Sequence, residues 1–176
     1  ASLSRLDDLG IKYTGAGLNR KAARNPAIIE RDSVRFGFLQ YTSVFWPSGQ
    51  AAGEQTPGVA TIKAHTAYQP KVANRAGVPP IILTSADDHE LAEFQRDIES
   101  LRTQADVVVS SHHWGQAEEV LQYQRQIAHA AIDAGADIVM GHGVHYPLAI
   151  EIYKGKPIFY GLGCFSFHTG HHGRAF

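Results

Sequence analysis

The chain has 176 residues, enough for one domain with a substantial core, and its 44% apolar and 19% charged residues mark a globular sequence rather than a disordered one. A net charge of −1 gives no electrostatic footprint for nucleic acid, and no apolar stretch approaches the roughly 20 residues of a membrane span. A lone Cys164 excludes an internal disulfide and leaves the compartment open; the first residues have no apolar signal core and no Met. In chain order, Leu3, Leu6 and Leu9 share a helical stripe that Gly10 ends. Ile11 to Thr14 reads as a short strand and Gly15-Ala16-Gly17 as a turn. Ala27 to Glu30 and Val34 to Tyr41 read as strands joined by Arg31-Asp32-Ser33.

Residues 46–80 differ. They hold five of the eight prolines and little periodicity, so they are expected to form a long insertion carrying one short strand, Val59 to Lys63. A helix follows from about Asp87 to Thr103, with Ser85 and Asp88 resembling an acidic capping box. Val107 to Ser111 is an apolar run typical of a buried strand. A second helix is expected from about Glu118 to Ala134, closed by Gly135, and a second buried strand over Asp137 to Met140. Leu148 to Tyr153 and Pro157 to Tyr160 should pair around Lys154-Gly155-Lys156. This alternation predicts a single α/β domain over residues 1–176, with helices covering a sheet.

Eight of the ten histidines lie after residue 111, and several directly follow the buried runs. The end of a strand is where an α/β sheet binds ligands, and imidazole is a common metal ligand and acid–base group. His113, in His112-His113-Trp114-Gly115, is either a metal ligand or a strand-end histidine bonded to backbone. If the strand continues, His112 points to the opposite face. His142 and His145, in Gly141-His142-Gly143-Val144-His145, form a glycine-bearing loop able to offer two nitrogens to a metal; the alternative is an ordinary turn. Gly143, Trp114 and Cys164 are candidates for substrate contact, Gly143 because a phosphate oxygen can approach its backbone. Cys164 is also readable as a soft ligand or as inert packing. His168 and His171 close the chain in a glycine-rich segment and are candidates for phosphate binding or general acid catalysis, or belong to a polar tail. His129, mid-helix, reads as structural. No Asp-x-His follows an early strand and no Asn-His pair occurs anywhere, so these histidines supply only part of a dinuclear site.

Several segments together resemble the bacterial CapA family of poly-gamma-glutamate capsule synthesis proteins, within the calcineurin-like metallophosphatase superfamily. Thr14 to Asn19 with Ala22 to Pro26 is similar to its glycine-rich segment. Ser111 to Gly115 resembles its S-x-H-W-G motif, and Tyr123 to Asp137 its helix and following strand. Gly141 to His145 resembles G-H-x-P-H, and Pro157 to Gly163 the closing P-I-x-Y-S-L-G-N-F. Val144 stands where proline is common, and Cys164 replaces the final asparagine. The resemblance implies a metallophosphatase-type β-sandwich flanked by helices, of which this chain holds the C-terminal portion, with earlier acidic and N-N-H motifs preceding Ala1. It also implies that His113, His142 and His145 ligate two divalent metal ions (Mn, Fe or Zn). The expected partner is an anionic small molecule or polymer. A phosphoester hydrolase and a non-hydrolytic binding or assembly factor both remain open. A sheet lacking its opening strands would leave edges unpaired, which predicts homo-oligomers or completion by further residues.

Overall fold

The computed structural model describes residues 2–46, 48–73, 75, 77–115 and 118–164. First comes α1 (Ser2–Asp8), which buries none of its residues and stops at Gly10, where φ is +66°. Ile11 to Thr14 is not a strand; instead Ala16–Gly17 forms β1. The reason is a close approach. A Cβ on Gly17 would lie 2.2 Å from Ala23 N, in α2 (Arg20–Ala23), so only glycine lets the chain pair here. Next are β2 (Ala27–Arg31) and β3 (Val34–Thr42), an antiparallel pair as expected.

The 46–80 segment is more ordered than its composition suggests. Gly58–Val59, β4, pairs with β1, and Thr61 bridges to Thr42 at the end of β3. Ala52, Ala60 and Ile62 are buried and anchor it to the core. Beyond them, β5 (Ala64–Gln69) pairs antiparallel with β6 (Ile81–Ala86) in a two-stranded ribbon. The ribbon's cross-strand partners Tyr68 and Ile82 are 69% and 61% exposed.

Helix α3 (Asp88–Arg102) follows, capped by the Asp87 carboxylate, which accepts from Glu90 N at 2.9 Å. Ser85 cannot serve as the cap because it lies within β6, opposite His65. Phe94, Ile98 and Leu101 recur at helical spacing and are fully buried, each contributing about 1.5–3 kcal/mol of apolar transfer. After β7 (Val107–His113) comes α4 (Gln122–Asp133), which starts later than the Glu118 expected from its acidic residues. Its start is set by Gln124, whose side-chain carbonyl accepts from Leu121 N at 2.7 Å. β8 (Ile138–His142), β9 (Ile150–Tyr153) and β10 (Lys156–Phe159) complete the regular elements among the described residues.

Six strands form one mixed sheet in the order β2-β3-β7-β8-β10-β9. β3, β7, β8 and β10 run parallel, with antiparallel β2 and β9 at the edges. Helices α3 and α4 lie on one face, over Leu39, Tyr41, Val108 and Val139, which are buried. The architecture is therefore α/β, a multi-strand sheet flanked by helices, as the alternation of segments predicts. Along β3 the other set of alternating residues, Phe36, Phe38, Gln40 and Thr42, is only half-buried. The parallel strands all end at the same border of the sheet, where side chains of the half-buried face come together. Among the described residues, no helix is long and apolar enough to cross a membrane.

Candidate metal centre

Parallel register decides which histidines meet. Thr42 pairs with His113, and His113 pairs with His142, so β3, β7 and β8 place three side chains in one row. The rings of His113 and His142 lie 5.6 Å apart between centroids. His113 Nδ1 is 3.0 Å from Thr42 Oγ1. That hydroxyl also donates to Val44 O at 2.8 Å and accepts from Val44 N at 3.2 Å. His142 Nε2 is 3.2 Å from Gln40 Oε1, while the Gln40 amide nitrogen donates to Tyr41 O at 2.9 Å. Burial, and then the neighbouring charge of His113, pushes the His142 pKa down, which favours the neutral ring a metal requires.

Two glycines make room for this arrangement. A Cβ on Gly143 (φ +98°) would stand 2.6 Å from His113 Cδ2 and 2.8 Å from its Nε2, so only glycine lets the loop lie this close to the ring. A Cβ on Gly15 would stand 2.7 Å from Gln40 Cγ. Beside His113 lies a cavity of about 390 Å³ bordered by Gly15, Gln40, Thr42, Gln50 and Ala60.

The neighbouring residues have other positions. His112 leaves β7 on the helix side, as the alternation predicts, and is buried. It stacks on Trp114 at 4.7 Å, meets Phe94 edge-on at 5.3 Å, and bonds Ser110 Oγ at 2.8 Å. Burial, with a smaller contribution from His142, lowers its pKa to about 3. Trp114 is wholly buried, and its indole N–H donates to Tyr160 O at 2.9 Å. It underlies the site rather than lining it. His145 is exposed on the loop after β8, and its carbonyl accepts from the half-buried Cys164 thiol at 3.8 Å. His168 and His171 lie outside the described residues. His129 stacks on Tyr153 at 3.9 Å and bonds Glu151 at 2.8 Å, a structural role between α4 and β9.

The donor set fits part of a cation site: two imidazoles, adjacent and oriented by partners of their own. Among the described residues, no group of three or more His, Cys, Asp or Glu side chains gathers around one point. Sequence patterns pointed to His113 and His142 but not to Gln40 and Thr42. Their signal is the two-residue alternation at the end of β3, which becomes readable only once the pairing register is known.

A mixed α/β sheet presenting imidazoles where its parallel strands end is the class of protein that fold and site define. The family described as "Bacterial capsule synthesis protein PGA_cap" matches residues 1–169, and the chain belongs to it. Among curated relatives, the "Capsule biosynthesis protein CapA" of Bacillus anthracis is 28% identical over 171 residues, covering 96% of this chain and 36% of that protein. A "Probable polyglutamine synthesis accessory protein" of Mycobacterium tuberculosis is 32% identical over 167 residues, covering 92% and 39%. The "PGA biosynthesis protein CapA" of Bacillus subtilis is 47% identical over 75 residues, covering 42% and 20%. The chain thus spans well under half the length of the relatives it matches.

Proposed function

We propose that this chain is part of a metal-dependent phosphoester hydrolase domain serving the synthesis of an anionic polymer of the poly-gamma-glutamate type. The observation that carries the reading is the His113–His142 pair, set side by side by parallel register where two strands end. His113 and His142 would hold metal through ring nitrogens; His145 would add a third imidazole only by movement of the adjoining loop, because it does not gather with the other two. Two divalent ions (Mn, Fe or Zn), when bound, supply an activated water and positive charge for the transferring phosphoryl group. Gly143 leaves space beside His113 for a substrate oxygen. His168 or His171 donates a proton to the leaving group. The carboxylate ligands of a full dinuclear centre come from outside the described cluster.

The relatives' printed names favour a second reading, in which the same imidazoles bind the polymer's carboxylates, directly or through metal, without hydrolysis. Metal content per chain and hydrolysis of a chromogenic phosphodiester, compared between wild type and His142→Ala, separate the two. Loss of both metal and turnover in the variant supports the hydrolase. Retained turnover with unchanged metal content removes it, and metal binding with no turnover favours the second reading.

A further inference from the structure

The two imidazoles are anchored in opposite ways. Gln40 Nε2 donates to Tyr41 O at 2.9 Å, which fixes the amide so that Oε1 faces His142 Nε2. A carbonyl oxygen can only accept, so His142 must donate its Nε2–H and keep its lone pair on Nδ1. At His113 the partner is the Thr42 hydroxyl, which has a single proton. Val44 O lies 2.8 Å away as an acceptor for that proton, nearer than His113 Nδ1 at 3.0 Å. The hydroxyl therefore accepts from His113 Nδ1–H, and the lone pair of His113 stays on Nε2. A Cβ on Gly143 would stand 2.8 Å from that nitrogen, which glycine leaves unobstructed by a side chain.

We propose that Gln40 and Thr42, two residues apart on β3, hold His142 and His113 in opposite tautomers, so that the pair offers one Nδ1 and one Nε2 lone pair. Gln40 is a positioning residue, and Gly15 is what allows its side chain to lie there. The proposal rests on the metal-site reading for its purpose but on hydrogen-bond chemistry for its content. An outer partner that fixes the tautomer of a ligating histidine commonly accounts for about 10- to 100-fold in metal affinity.

Long-range proton–nitrogen correlation spectra of histidine-labelled, metal-free protein at pH 8 read each tautomer directly. Wild type should show His142 as Nε2–H and His113 as Nδ1–H. Gln40→Leu keeps the bulk but removes the acceptor, and should shift His142 toward Nδ1–H. Gln40→Glu restores an acceptor and should return it to Nε2–H. Thr42→Val should release His113 alone. Zinc titration should show about 10- to 100-fold weaker binding for Gln40→Leu and recovery in Gln40→Glu. An Nδ1–H His142 in the wild type, or a His142 signal indifferent to Gln40→Leu, overturns the proposal, and the wild-type spectrum decides even if the variants fail to fold. Tautomers as stated in a wild type that binds no zinc would uphold the positioning role while removing the metal-site reading. Tight zinc binding with the wrong tautomers would do the reverse.

Discussion

Gly141→Ala should be among the most damaging single-methyl additions in the molecule. Gly141 sits in β8 directly before His142, where its backbone has no need of glycine's conformational freedom, so the effect is purely steric. The added Cβ would lie 2.3 Å from Trp114 Nε1 and 2.4 Å from Tyr160 O. To reach about 3.0 Å from the new Cβ, Nε1 would have to retreat by about 0.7 Å and Tyr160 O by about 0.6 Å, which together carries their 2.9 Å bond to about 3.7 Å, beyond hydrogen-bond range. Overpacking costs about 1–3 kcal/mol, and a buried donor left without its acceptor about 1–3 more. Together these are a large fraction of a total stability that is typically about 5–15 kcal/mol. Urea denaturation followed by tryptophan emission is a suitable assay, because Trp114 is buried while Trp46 is 72% exposed. In a Trp114→Phe background, followed by far-UV circular dichroism because the buried indole is gone, the same substitution should cost less, since the clash with the indole nitrogen is removed and that with Tyr160 O remains. A Gly141→Ala protein within about 0.5 kcal/mol of wild type, the usual scatter of surface changes, would refute the packing described here.

Three further outcomes are expected. His112 has a folded-state pKa near 3 against about 6.5 when unfolded, so the unfolded chain binds the extra proton first and stability should fall as pH drops below about 6.5. His112→Phe should flatten the slope of urea stability between pH 6.5 and 5; His142, also lowered, leaves a residual slope of the same sign. Asp97→Ala should destabilise by about 1–3 kcal/mol in the same assay, because it leaves the buried Tyr41 hydroxyl without its acceptor and takes from Arg24 the carboxylate its Nε donates to at 2.7 Å, with Glu93 as the remaining partner. Gly143→Ala should weaken zinc binding in a calorimetric titration and also lower urea stability, since its methyl group would stand 2.6 Å from His113 Cδ2 on a backbone with φ of +98°.

The parallel strands were legible because one face is buried and the other half-buried, which leaves an uninterrupted apolar run, as in Val107 to Val109 and Ile138 to Met140. The histidines just after those runs were legible for the same reason. Other parts lacked such a signal. β5, Ala64–Gln69, is exposed along its whole length, so no alternation marks it, and only its partner β6 makes it a strand. β1 and β4 depend on glycines packed against distant backbone, which a linear pattern does not reveal. Leu121 caps α4 without any side-chain oxygen, the role passing to Gln124, so the acidic pair Glu118-Glu119 marked the start too early. Trp114 follows the motif histidine immediately, yet strand alternation sends it into the core, where it stacks on His112.

His112 and His113 are chemically identical neighbours that leave β7 in opposite directions. Were β7 to slide one residue along β3 and β8, imidazole would still occupy the border of the sheet, and composition alone would not penalise the error. Trp114 would, because its indole would swing out of the buried space it fills against His112 and Tyr160. The buried ring thus acts as a gauge of alignment, rejecting the one misfolded arrangement that would otherwise counterfeit the native row.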